Sequence, residues 1–179
     1  MHTKEELYSN KIFFNAALPL VKVIANDVPS LKKQFAHVHA IIQVSAKDPD
    51  APGGKVGMHF VVNSDEWLVH LNKVDPNPHV ELEFKSVEAM NAFFKGKMSP
   101  ATLPKMKGVV THFGAFKAFL MTLLKMSSLL GATEAPKDEA TKELMVKCFF
   151  YLLSSGISQL NKMGHEDIHD WTSKSPDRV

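Results

Sequence analysis

His165, Glu166 and His169 spell His-Glu-x-x-His near the end of the chain, inside NKMGHEDIHDW. On one helix this spacing sets two imidazoles a turn apart with a carboxylate beside them, the arrangement by which zinc hydrolases hold a metal and activate a water. A catalytic zinc also needs a third protein ligand and an open position. After His169 only DWTSKSPDRV remains, with Asp170 and Asp177 as poor donors, and Thr172 stands where the extended form of the motif needs glycine. Gly164 directly before the motif breaks the helix that would carry both rings. The stretch is therefore read as a surface turn or short terminal helix, anchored by Ile168 and Trp171, with no metal expected.

A second group is His37, His39 and His59, with Glu81 and Glu83 on a nearby segment. His-x-His on a strand points two rings the same way and suits a metal. The expected reading is a wet sheet face. Cys148 lies alone in an apolar run, so it makes no internal disulfide and reads as an inert buried thiol. The sequence shows no nucleophile elbow, phosphate loop or dinucleotide fingerprint. No catalytic residue and no cofactor are expected, and the chain is read as a non-enzyme.

The 179 residues suit one domain with an appendage. The net charge is +2 and Arg178 is the sole arginine, so no nucleic-acid partner is expected. A lone cysteine, a charged start (MHTKEELYSNKIFF), an apolar helix interrupted by Lys117 and Lys125, and SPDRV as the end lead to an expected cytoplasmic location. Twelve Phe and nine Met against two Trp and two Tyr supply apolar surface with few polar handles. That bias fits an ordinary core, and equally an adaptable pocket for an apolar ligand.

The elements that must position these residues follow from periodicity. TKEELYSNKIFFNAALPLVKVIANDVPSLKKQF repeats apolar residues at helical spacing; Pro19 divides it and Pro29 restarts a short turn. In AHVHAIIQVSA the even positions Val38 to Ala46 are apolar, which is a half-buried strand. DPDAPGG then KVGMHFVVN completes a hairpin, EWLVHLN is a third strand, and HVELEF is a fourth with Glu81 and Glu83 outward. Ser86 caps a helix running to Gly96, and Lys105–Lys107 is a short fifth strand. HFGAFKAFLMTLLKMSSLLG is a helix apolar on most of its circumference, with Phe113, Phe116, Leu120, Leu123, Leu124 and Leu130 as one broad face and Phe119, Met121 and Met126 outside it. DEATKELMVKCFFYLLSSGISQLNKMG is a further helix, with Asp138/Lys142 and Glu143/Lys147 as pairs four apart.

VELEFKSVEAMNAFFKGKMSPATLPKMKG resembles the signature region of sterol carrier protein 2-like domains. A strand (Val80–Phe84) leads into an acidic helix start (Ser86–Glu88), then Gly96–Lys97, a loop, a basic strand closing at Lys105–Gly108, and an apolar helix. The resemblance covers roughly residues 4 to 131 and departs from the family in the prolyl loop MSPATLPK, in the SPDRV terminus, and in the segment after the apolar helix. It implies an α+β fold: a single antiparallel-rich sheet of about five strands, covered on one face by helices that enclose an apolar tunnel, plus an extra C-terminal helix. It also implies residues 1–131 as a lipid-binding domain, with 132–179 as a linker and helical extension packed on it.

The implied function is binding, and transfer, of a fatty acid, acyl-CoA or phospholipid in that tunnel. Apolar lining suffices for such a ligand. The candidate lining residues are Ile42, Met58 and Phe60 on the sheet, Phe93 on the middle helix, and Phe116, Leu120, Leu123 and Leu124 on the apolar helix. Lys117 and Lys125 read as a solvated face, with phospholipid headgroups at a transiently contacted membrane surface as the alternative. Two other functions stay open: an accessory domain for a partner enzyme, whose pocket is filled by packing, and, behind it, a zinc hydrolase. The oligomeric state is open.

Overall fold

A computed structural model describes residues 14, 17–94, 97, 99–130 and 136–155. The element order is α1 (Leu20–Asp27), α2 (Pro29–Phe35), β1 (His39–Lys47), β2 (Lys55–Asn63), β3 (Glu66–His70), β4 (Val80–Phe84), α3 (Val87–Phe94), β5 (Lys105–Lys107) and α4 (Phe113–Leu130). Residues 139–155 are helical as well and are labelled α5, the final element among the described residues. The two prolines act as expected. Pro19 caps α1, and Val28 is held extended because the ring of Pro29 excludes a helical residue before it, so α2 restarts at Pro29.

The strands form one sheet in the order β3-β2-β1-β4-β5. β1 and β2 make a hairpin in full register from His39↔Asn63 to Lys47↔Lys55, turned through Pro52–Gly54, where Gly53 and Gly54 take positive φ. β3 continues antiparallel from β2, and β5 pairs antiparallel with β4. β4 does not extend the meander. It crosses back and lies parallel to β1, with Ile42↔Val80 and Ala46↔Phe84 in register. The sheet is therefore mixed, with three antiparallel neighbours and one parallel, and the fold is α+β.

The alternation read from the sequence sorts the faces. Ala40, Ile42, Val44 and Ala46 stand in register with Val62, Phe60, Met58 and Val56 on one side and with Val80, Leu82 and Phe84 on the other. α4 packs on this apolar face and on α1 and α2. Phe119 meets Phe60 at 5.9 Å between ring centroids, and Phe35 meets Trp67 at 4.7 Å. α3 closes the other end, with Phe93 and Phe94 set 5.4 Å and 5.7 Å from Phe84. Its cap is as expected, since the Ala89 amide donates to Ser86 Oγ at 3.2 Å.

Three expectations are corrected. The inward side of α4 is Ala115, Phe116, Ala118, Phe119, Thr122, Leu123, Met126 and Leu129, while Phe113, Leu120, Met121 and Leu124 point outward. A helix apolar all round has no preferred side by composition, so the packing on α1, α2 and β1 chooses it. The two charge pairs four apart on α5 are also not the ones made. Asp138 Oδ2 instead accepts the Thr141 amide at 2.8 Å as an N-cap, Lys142 pairs with Glu139, and Lys147 reaches Asp27 of α1 at 2.7 Å. The third concerns the wet sheet face, described below.

Candidate functional site

The sheet and α4 bring five of the eight candidate residues into one layer. Ile42 faces Phe60 across the hairpin, Met58 faces Val44 one pair along, and all three candidates are fully buried. Phe116 and Leu123, seven residues apart on α4, belong to the same core cluster. Phe93 is half-buried at the α3 end, beside Phe84. Leu120 and Leu124 lie on the opposite side of α4, 38% and 55% exposed. The four candidates on α4 are therefore split between its two sides. Two open depressions beside α5, of about 520 Å³ and about 470 Å³, involve other residues. The first is lined by Val146 and Phe150 among charged neighbours, the second by Lys22, Asp27, Val69 and Tyr151 between α1, β3 and α5.

The reverse face of the sheet carries a polar cluster of which the sequence singled out the two acids and His59 but not Gln43 or Ser45. Glu81 and Glu83 of β4 are buried, and so are Gln43 and Ser45 of β1 and His59 of β2. Ser45 Oγ donates to Glu81 Oε1 at 2.6 Å and Gln43 Nε2 to the same oxygen at 2.9 Å. Lys55, from the start of β2, bridges Glu81 and Glu83, and Lys107, from β5, donates to Glu81 at 3.1 Å and to Glu83 at 2.8 Å. Burial would raise the Glu81 carboxyl. Hydrogen bonds from Ser45, Gln43, Lys107 and Lys55 outweigh that and hold it at about 2. Burial likewise pushes Glu83 up, but Lys107 and Lys55 bring it below its ordinary value. The hydrogen bond from Lys107 to Glu83, aided by Glu81, raises the ammonium in turn.

This face is dry at its centre because the chain between β3 and β4 runs over it. The Asp75 amide donates to Gln43 Oε1 at 2.6 Å, Gln43 Nε2 reaches the Asp75 carbonyl at 3.3 Å, and His59 Nδ1 lies 2.8 Å from the Lys73 carbonyl. His59 stacks on His70 at 4.6 Å, whereas His39 sits four residues before Gln43 on β1 and bonds Asn63. His37 precedes the strand. The histidines are thus dispersed, and among the described residues no group of three or more His, Cys, Asp or Glu is placed to hold a metal. The His165–His169 stretch lies outside the described residues. Lys55 could have been picked out from its strand-end position, but Gln43 and Ser45 acquire their roles only through the parallel β1–β4 register.

Cys148 is buried on α5 beside Leu144, and burial pushes its thiol up, which disfavours the reactive thiolate. Burial also raises Tyr151. Among the described residues no helix is long and apolar enough to cross a membrane.

Two solved structures are similar to this chain. The first is described as the crystal structure of sterol carrier protein 2, at 11% identity and a TM-score of 0.44, covering 73% of this chain and 97% of that one. The second is the solution structure of a conserved hypothetical protein from Thermus thermophilus, at 10% identity and a TM-score of 0.38, covering 80% and 90%. No family model and no curated protein matches the sequence. Identities this low, with scores below one half, leave the functional reading to the chain's own residues.

Proposed function

We propose that this protein binds a lipid carrying a long acyl chain, held between the apolar face of the sheet and α4. The observation that carries the reading is α4 itself. It buries Phe116, Phe119 and Leu123 on the sheet side and still presents Phe113, Leu120, Met121 and Leu124 on the other. A soluble helix ordinarily hides one apolar stripe and shows a polar back. Apolar surface on both sides supports a role beyond packing the core. Met58 and Met90 lie in the same core, and their unbranched side chains repack at low cost around a variable ligand.

The resemblance of Val80–Gly108 to sterol carrier protein 2-like domains supports the same reading. The strand, capped helix, short basic strand and apolar helix that it anticipates are all formed. In this reading Ile42, Met58, Phe60, Phe93, Phe116 and Leu123 line an apolar tunnel, while Leu120 and Leu124 lie on the far side of α4 and stay outside it. Residues 1–131 form the binding body and 132–179 an extension. The act is binding and transfer rather than catalysis, and the location is cytoplasmic.

Native mass spectrometry of the full chain purified without detergent tests the proposal. Co-purifying lipid, displaced by added fatty acid, is the expected result. A chain that carries no lipid and takes up none when offered fatty acid, acyl-CoA or phospholipid overturns it. That outcome would favour the accessory-domain reading, which has its own support. Ile42, Met58 and Phe60 have no exposed surface, and Phe60 packs between Trp67 and Phe119, so packing alone fills this part of the layer.

A further inference from the structure

We infer that the outward side of α4, together with the turn that leads into it, docks on an anionic lipid bilayer. Phe113, Lys117, Leu120, Met121 and Leu124 follow one another at spacings of four, three, one and three, so they share a single side of the helix. Phe113 is 60% exposed and Leu124 55%. Val110, in the turn just before the helix, is 95% exposed, an apolar tip held out into solvent. Several large apolar side chains on one exposed helix side form a patch of the kind that marks an interaction surface.

Charge decides what that surface meets. From residue 89 to residue 133 the chain has six lysines and no Asp or Glu, although the whole chain is only +2. The remainder is therefore net acidic, and the apolar side of α4 sits inside a purely basic stretch. Lys107 is engaged with Glu81 and Glu83, and Lys125 lies near Asp138. Lys117, in the middle of the stripe, is exposed and makes no ion pair among the described residues, and the same holds for Lys105. A lysine flanked by apolar side chains lays its stem along them and lifts its ammonium to the level of lipid phosphates.

A second copy of the chain fits less well. A two-fold contact along α4 would bring Lys117 towards its own counterpart in a drying apolar interface, and the stripe has no carboxylate to neutralise either. A bilayer with anionic headgroups supplies the missing charge and accepts the apolar side chains together. The inference goes beyond interior ligand binding; it shares the exposed side of α4 with that reading but has a separate readout.

The test is flotation of the full chain with vesicles of phosphatidylcholine alone and of equimolar phosphatidylcholine and phosphatidylserine, with native mass spectrometry of the same preparation. The wild type is expected to bind the anionic vesicles and to release as salt is raised. Lys117→Glu is expected to lower partitioning roughly twenty-five-fold, two units of charge at about fivefold each. Leu124→Ser is expected to lower it roughly tenfold through lost apolar burial. Lys47→Glu makes the same charge change at the end of β1, away from the α4 stripe, and is expected to shift partitioning by about twofold at most. All three sites are exposed, and circular dichroism confirms the fold.

Equal binding to both vesicle types overturns the inference, and so does an equal loss from Lys47→Glu and Lys117→Glu. Self-association in sedimentation that Leu124→Ser disperses also overturns it, in favour of a second copy. Anionic-vesicle binding by a chain that holds no interior lipid upholds docking and removes the ligand reading. A lipid-loaded chain indifferent to vesicles does the reverse.

Discussion

Glu81 shows how a buried carboxylate is kept charged. One oxygen takes Ser45, Gln43 and Lys55, the other takes Lys107, and Glu83 shares both lysines. Because both carboxyls titrate below their ordinary value of 4.5 in the folded chain, their stabilisation is full above that pH. It is lost as pH falls towards about 2, the folded value of Glu81. Lys107 has the opposite sign: its contribution holds below its ordinary value of 10.5 and disappears as pH rises through its elevated folded value. Glu81→Gln is expected to cost about 3 kcal/mol at neutral pH by leaving buried donors and lysines short of charge. The same change is expected to roughly halve the acid-side slope of stability, since Glu83 remains. Urea titrations from pH 5 down to about pH 2 measure both effects. An unchanged slope would show that Glu81 does not govern acid stability.

At the scale of elements, the joint between β5 and α4 is the tightest constraint. Gly108 has φ +71°, and a Cβ there would lie 1.8 Å from the carbonyl oxygen of His79. That oxygen is backbone, immediately before β4, and the neighbouring His79 ring accepts the Ile41 amide while its own amide bonds the Ile41 carbonyl. Nothing there can yield cheaply. Gly108→Ala is expected to destabilise the protein by about 3 kcal/mol, or to prevent folding at growth temperature. Chemical denaturation reads it, and a loss below about 0.5 kcal/mol would mean that the turn relaxes freely. For α5, Asp138→Ala removes the bond to the Thr141 amide and is expected to lower the urea midpoint slightly. Faster amide exchange in the first turn of that helix would accompany it.

For the whole molecule, substitutions on the two sides of α4 let stability be read apart from the proposed lipid binding. Phe60→Ala opens a hole beside both Trp67 and Phe119, and is expected to cost about 3–5 kcal/mol whatever the ligand. Leu120 is already 38% exposed, so Leu120→Ala is expected to cost about 1 kcal/mol or less. Any larger effect of Leu120→Ala on lipid occupancy would then be a binding effect, read as a lowered ligand-induced rise in Tm. If a lipid binds the folded chain alone, saturation at about a hundred times Kd adds about 2.7 kcal/mol to wild-type stability. A Tm unmoved by any lipid class would argue for a layer filled by its own side chains.

The local pattern of residues determined most of the elements. Alternation at Val38–Ala46 and Val80–Phe84 marked strands, Pro19 and Pro29 marked breaks, Ser86 marked a cap, and Lys105–Lys107 marked the fifth strand. These are short-range matters, settled by side-chain period, ring geometry and a single hydroxyl. Of the candidate site, Ile42, Met58 and Phe60 were legible for the same reason, since alternation says which side chains share a buried face. Alternation does not say what covers the face or which strand lies beside it. Placing β4 parallel to β1, bringing Gln43 and Ser45 onto Glu81, and drying that face under the Asp75 segment were tertiary decisions, made by pairings across 32 to 38 residues of sequence. The orientation of α4 was another. With apolar residues all round, its sequence holds no direction, and the packing of Phe119 on Phe60 turned Leu120 and Leu124 to the outside.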